Sequence, residues 1–397
     1  MLLKRAGLLF VVVCAIFWTS CGSSSSSSNS TISNIKDRLL FDNAVNGGLF
    51  ILDIDTNPPT LYQRTVGSLS APQQMLRAPD RSFVLIYDDS AFSLSIFNSA
   101  QETITATLPI NHHTDSIVMT TDGKHAYAAV PDAPQTNPPT GAVISYDLTT
   151  GNAGSQIAVP DARRLALSSD GKSMLVFTDT GDTFYYIDLS ATKLTAVPIT
   201  GATLHRPYSA VFASDNTTAY VLNCGTECSD ANPPSVQAVT VSPKAQTLGA
   251  SVVVPGATVA LLDGSTLSVA GNDLTKAIGS QGVFTTVNVS NMTVSATAAI
   301  PDGLHTLMTS FNSKTWIGSS NCTTTNCLAI VDGATVTVPA STGNVTALRP
   351  APKKNWMYVV QGTVAGAEIY NFDADKLTFT IPYDVIGQAW DVALLDQ

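Results

Sequence analysis

The sequence is short of charge: Asp, Glu, Lys and Arg together make up 13% of its 397 residues, against roughly 25% in an average soluble domain. Surface helices carry their charges on a solvated face, so a chain this poor in them is not built mainly of such helices. Its basic residues never cluster. Twenty Lys and Arg stand against 30 Asp and Glu, for a net charge of -10, which argues against nucleic acid as a partner, because phosphate binding rests on concentrated Lys and Arg. Electrostatic adhesion to an anionic membrane is disfavoured for the same reason. Catalytic signatures are missing too: there is no G-x-S-x-G, no H-E-x-x-H, no phosphate-binding glycine loop and no dinucleotide fingerprint. The acidic stretches DIDTN at Asp53 and DADK at Asp373 lack the Gly and Glu of a calcium loop and read as strand-to-strand turns. No cofactor and no metal is implied.

What is plentiful is Ser, Thr, Val, Ala and Gly, a composition suited to strands and tight turns, and the chain reads as all-β. The N-terminus differs from the rest. Residues 1–21, MLLKRAGLLFVVVCAIFWTSC, open with Lys4 and Arg5, run apolar from Ala6 to Trp18 and end on small polar residues and a cysteine, the layout of a secretory signal. The apolar run is short for a membrane anchor, which needs about 20 residues. WTSC resembles the lipobox of bacterial lipoproteins, which implies cleavage before Cys21 and lipidation of its thiol; Trp18 stands where that pattern prefers an aliphatic residue, so ordinary cleavage to a soluble exported protein is the alternative. Gly22 after the cysteine is compatible with outer-membrane sorting in such lipoproteins. The run GSSSSSSNST, 22–31, is too polar to fold and is expected to be a flexible tether spanning about 17 Å. The expected organisation is a signal peptide at 1–20, a lipidated Cys21 and tether at 21–33, and one domain at 34–397.

That domain repeats. The phrase TTDGKHAYAA at 120–129 returns as SSDGKSMLVF at 168–177, and units begin near Arg38, Arg81, Lys124, Lys172, Thr217, Ser265, Lys314 and Lys354, every 40–49 residues. This is the period of four-stranded propeller blades. Asp and Gly of DGK supply the reversal between two strands and Lys stays at the solvated rim, so the phrase is a turn and not a site. Short apolar runs such as AVISYDL, FYYIDL and VFTTVNV follow in each unit, bounded by turn residues. Eight four-stranded antiparallel blades fit, with WDVALLDQ at the C-terminus occupying an inner-strand position. Closure then requires the first strands to complete the sheet begun by the last; if residues 32–45 do not pair, the count is seven.

The stretch TTDGKHAYAAVPD…AVISYDLTTGN resembles the YVTN-type repeat of bacterial lactonase-like and surface-layer β-propellers, over most of residues 38–397. The resemblance implies a propeller fold; its members include lactone hydrolases, binding proteins and proteins without an assigned role. KTWIGSSN and STLSVAGN keep the strand and lose the phrase.

In such a ring, loops entering the innermost strands and loops following the first strand of each unit lie on one face, and irregular segments on a rigid scaffold commonly carry binding. Three insertions fall there: 131–142, 223–235 and 319–327. Cys224 and Cys228 lie in the second, Cys322 and Cys327 in the third, so export predicts two local disulfides; a shared four-cysteine zinc site is the rival. His112, His113, His205 and His305 all fall in loops entering inner strands, and Gln74, Arg164, Asn344 and Gln388 hold corresponding places, with Arg206 beside His205. Together they form an expected polar ring at one mouth of the channel.

One reading makes this ring a site for an anionic or carbonyl-bearing ligand, with Arg164 and Arg206 pairing its charge and a histidine serving as acid or base. The other makes these residues hydrogen-bond partners of the loop backbone. The expected protein is a monomeric, exported and lipid-anchored binding module of the bacterial cell envelope, on the outer-membrane or periplasmic side, for a small molecule, glycan or envelope protein. A lactonase-like hydrolase using His113, His205 or His305 as base and Arg164 or Arg206 at the oxyanion is the first alternative; a structural envelope protein is the second.

Overall fold

In the computed structural model, residues 32–397 are described apart from 44–47, 57–58, 63–64, 135–139, 324–325, 341–342, 364–365 and 386–389. The expected signal segment, Cys21, the expected Ser-rich tether and Gln388 therefore lie outside the described residues, as does part of the 131–142 insertion.

The pattern of apolar residues explains how each repeat becomes a sheet. In the unit beginning with Pro72–Arg77, the strands Phe83–Asp88 and Ser93–Asn98 are buried almost throughout, whereas the outermost strand Thr103–Pro109 is mostly not. The same gradient runs through Ser173–Thr178, every residue of which is buried, and through Asn152–Ala158, where only one is. A second strand buried on both faces must be covered by a sheet on either side, which is why it reads as a continuous apolar run instead of an alternating one. Stacking sheets around an axis meets that demand. Eight sheets form, seven of four consecutive antiparallel strands and one assembled from both ends of the chain. The expected eight-bladed, four-stranded propeller is what the chain adopts, and Ser33–Gln397 is one compact unit. Apart from strands, the described residues hold two single-turn helices, Gly225–Cys228 and Pro352–Lys354.

The turn phrase behaves as its residues dictate. Gly123 and Gly171 adopt φ of 69° and 70°, the left-handed region that glycine enters without steric cost. Asp122 accepts the Lys124 N–H at 3.0 Å and the Thr120 hydroxyl at 2.6 Å, and Asp170 repeats both bonds with Lys172 and Ser168. Where the phrase is lost, Arg81 and Asn216 take the same backbone position with φ of 66° and 58°.

Blades are numbered from the N-terminus. Blade 1 takes its inner strand, Val392–Leu394, from the C-terminus and lays it against Arg38–Asn43, pairing Leu39 with Leu394 and Phe41 with Val392. Closure is reinforced by charge. The Arg38 guanidinium grips Asp396 in bidentate fashion (2.9 and 2.7 Å) and reaches Glu102 of blade 2 at 3.0 Å. Glu102 is fully buried and also accepts the Ser33 backbone N–H at 2.8 Å and the Ser33 hydroxyl. Both termini of the described chain and the neighbouring blade thus meet on one cation.

Removing Arg38 strands a buried carboxylate. Arg38→Met is expected to lower unfolding free energy by about 3–5 kcal/mol, against under about 0.5 kcal/mol for a Met at exposed Lys193, as read from denaturant midpoints.

Candidate functional site at the channel mouth

Along each blade the chain alternates direction, so the loops entering inner strands and the loops joining second to third strands share one face, and the DGK-type turns share the other. Both disulfides form on the first face, Cys224–Cys228 and Cys322–Cys327, as expected, and each sulfur is taken within its own loop instead of by a shared zinc. The first loop is fastened to blade 6 by Glu227, whose carboxylate accepts the N–H groups of Ala257 (3.1 Å) and Asn272. The second is fastened by buried Asp302, which accepts the Thr323 N–H at 3.0 Å and the Gly279 N–H at 3.2 Å.

The sequence-predicted polar residues separate into two groups. His305 is 1% exposed; its Nε2 donates to the Pro301 carbonyl at 2.9 Å, and Nδ1 has no partner. Burial drives its pKa down to about 4, so it is a neutral strut away from solvent. Asn344 accepts the Asn321 N–H at 2.8 Å, and Gln74 donates to the Ile117 carbonyl at 3.4 Å; both brace backbone. His112 lies 3.5 Å from Asp132. The His205 backbone bonds to Asn223 and Gly225 while its ring, half-buried, makes no hydrogen bond among the described residues.

His113, Arg164 and Arg206 do come together, through residues that the sequence reading passed over. His113 is clamped between two carboxylates, Nδ1 at 2.5 Å from Asp89 and Nε2 at 2.8 Å from Asp115. Asp89 also accepts the Tyr87 hydroxyl at 2.6 Å, and Asp115 accepts Arg163 at 2.8 Å. Arg163 continues to Asp161 (3.2 Å) and Asp179 (3.1 Å). Asp179 then takes Arg164 at 2.7 Å, whose guanidinium lies 3.6 Å above the Tyr208 ring, and its carbonyl accepts Arg206 at 3.1 Å. One chain of charges therefore crosses blades 2 to 5.

A signal for it existed in the sequence: Asp89, Asp132 and Asp179 each stand one or two residues beyond a buried second strand in three successive units. Four carboxylates face two arginines and one histidine, so the network is close to charge-compensated. Burial pulls the His113 imidazole down, but the hydrogen bonds and charges of Asp89 and Asp115 outweigh it and hold its pKa above the ordinary value. The Arg206 guanidinium alone of the three pairs with no carboxylate side chain among the described residues, although the Arg206 backbone N–H donates to the Asp182 carboxylate at 3.0 Å. Among the described residues, no three His, Cys, Asp or Glu side chains converge as a metal ion requires, and no helix is long and apolar enough to cross a membrane.

No protein-family model matches the chain, and no curated protein matches it either. Solved structures do. The dihydro-heme d1 dehydrogenase NirN, solved in complex with DHE, superposes with a TM-score of 0.66 at 10% identity over 92% of this chain and 76% of that one. The periplasmic gluconolactonase of Pseudomonas aeruginosa gives 0.53 at 12% identity over 90% and 98%, and a putative 6-phosphogluconolactonase of Bacteroides fragilis gives 0.55 at 12% over 92% and 99%. At these identities the likeness is one of fold: the chain is a β-propeller of the architecture those proteins share.

Two titrations check the electrostatics. By NMR, His113 is expected to titrate above the ordinary histidine range and His305 near 4; Asp115→Asn brings His113 down and leaves His305 in place. Because folding raises the His113 pKa, the stability it supplies is complete below the unfolded value and fades as pH rises through the folded one. Burial likewise lifts the Glu227 carboxyl to about 7, so folding favours its protonated form, fully below about pH 4.5 and less as pH climbs to 7. The stability difference between wild type and Glu227→Gln is expected to change by roughly 3 kcal/mol between pH 4.5 and 7.5, measured by urea unfolding at each pH.

Proposed function

We propose that the chain is an exported binding module whose loop-rich mouth takes a neutral, hydroxyl-rich small molecule or glycan. The observation that carries this reading is the compensation of charge at the mouth. Arg163 and Arg164 are already held by Asp115, Asp161 and Asp179, so an incoming anion finds little unpaired positive charge. Hydroxyl groups both donate and accept, and they enter a lattice of carboxylates and guanidinium groups without disturbing its balance. Catalysis at His113 is disfavoured because both ring nitrogens are occupied by carboxylates, whereas a general base needs a free one.

Export is supported by the two disulfides, together with the N-terminal signal and the lipobox-like WTSC. In this reading Cys21 carries the lipid and the tether sets the ring off the membrane. Mass spectrometry of the chain from a membrane fraction is expected to show a diacylated Cys21, and Cys21→Ser to move the protein into the soluble fraction.

A second reading, lactone hydrolysis, is favoured by the fold shared with a gluconolactonase and by His205, beside Arg206, whose imidazole at this mouth makes no hydrogen bond among the described residues. There His205 would activate water and Arg206 would steady the oxyanion. Calorimetry and hydrolysis assays with one panel of neutral sugars and sugar lactones separate the two. Binding without turnover, weakened about tenfold or more by Asp179→Asn, is the expected result; turnover abolished by His205→Ala would replace it with the hydrolase.

A further inference from the structure

The opposite mouth is built differently. A cavity of about 390 Å³ opens among the inner strands of blades 8, 1, 2 and 3, on the side of the DGK-type turns. Its walls are largely apolar, with Met75, Leu76, Met119 and Val392 among them, and two arginines, Arg77 and Arg349, point into it. Arg349 is committed to the frame: it donates to Asp391 at 2.5 Å and to the carbonyls of Val392 and Met75, both at 3.3 Å.

Arg77 is not so committed. Its one hydrogen bond runs from NH1 to the Leu394 carbonyl at 2.7 Å, and among the described residues no carboxylate lies within ion-pair distance of it. Burial, and then the positive charges of Arg81 and Arg349, hold its pKa below the ordinary arginine value. Nearby Asp396 is occupied by Arg38, and Asp391 by Arg349 and the Met75 N–H. A half-buried guanidinium that has no carboxylate partner and lies near other cations is a ready seat for an anion. In a chain of net charge -10, such a concentration of positive charge is a local exception.

We propose that this cavity is a second binding site, for a small organic carboxylate with an apolar body. The guanidinium of Arg77 presents two free nitrogens to the carboxylate as a planar fork, and the methionine and aliphatic walls receive the rest of the molecule. The cavity volume falls in the range of small-ligand pockets. The site is separate from the mouth of His113 and Arg164, and it stands whether or not that mouth binds sugars.

Isothermal calorimetry on the full chain tests the inference, with phenylacetate and octanoate as probes and inorganic phosphate and phenylethanol as comparators. Saturable 1:1 binding of a carboxylate is expected, weakened about 10- to 100-fold in Arg77→Gln and unaffected by Asp179→Asn at the other mouth. Thr121→Phe, at the exposed lip of the cavity, keeps both arginines and is expected to weaken the same probe, which keeps the test open if Arg77→Gln fails to fold. No saturable binding up to about 10 mM, equal affinity in wild type and Arg77→Gln, or phosphate binding in place of both carboxylates would each overturn the proposal.

Discussion

A strand that is apolar on both faces has to be covered twice, and nearly everything in this fold follows from that constraint. Phe83–Asp88, His125–Val130, Ser173–Thr178 and Thr218–Asn223 are buried along almost their whole length, so no blade is finished until it has a neighbour on each side. A row of such blades always leaves two uncovered sheets unless it closes on itself. Closure removes them, and Arg38 holds it where Asp396, Glu102 and Arg38–Asn43 meet. The inner strands, freed from that burial, can then carry polar groups into the channel, which is where both mouths acquire their chemistry.

The two mouths use arginine in opposite ways. On the loop-rich face Arg163 and Arg164 lie in a lattice with Asp115, Asp161 and Asp179, which fixes their directions and leaves their charge spent. On the turn face Arg77 keeps its charge, because the acids near it already serve closure. The same residue type is thus an orienting brace at one end and an open cation at the other, and the difference lies in which carboxylates the ring consumes to hold itself shut.

The fold was legible because its signal is the burial itself: FVLIYD, HAYAAV and SMLVFT are continuous apolar runs for the same reason that they are covered on both faces. Outer strands such as NAGSQIA are exposed and correspondingly faint. The mouth was half legible. Histidines stand out because there are five; acids do not, because there are 30 and many of them cap turns, Asp122, Asp147, Asp170 and Asp215 among them. Asp88 and Asp89 make the difficulty concrete. Asp88 accepts the N–H groups of Ser90 and Ala91 in its own turn, while its neighbour holds His113, and nothing in the letters separates the two tasks. His305 misled for the converse reason: its place in the repeat matches the other histidines, but the backbone turns its ring inward onto Pro301. Arg77 and Arg349 were silent because each sits in a strand of otherwise ordinary composition.

Blade 1 takes its innermost strand from Val392–Leu394 and its remaining strands from residues near 38–68, so the first sheet waits for the last residues. During synthesis, blades 2 to 8 can pair in order as they emerge, while Arg38–Asn43 stays an unsatisfied edge throughout. Folding of this ring is therefore vectorial in its middle and simultaneous at its seam. A premature stop or a clipped tail would release a chain with seven nearly complete sheets and one sticky edge, a species for quality-control proteases to recognise by that edge alone.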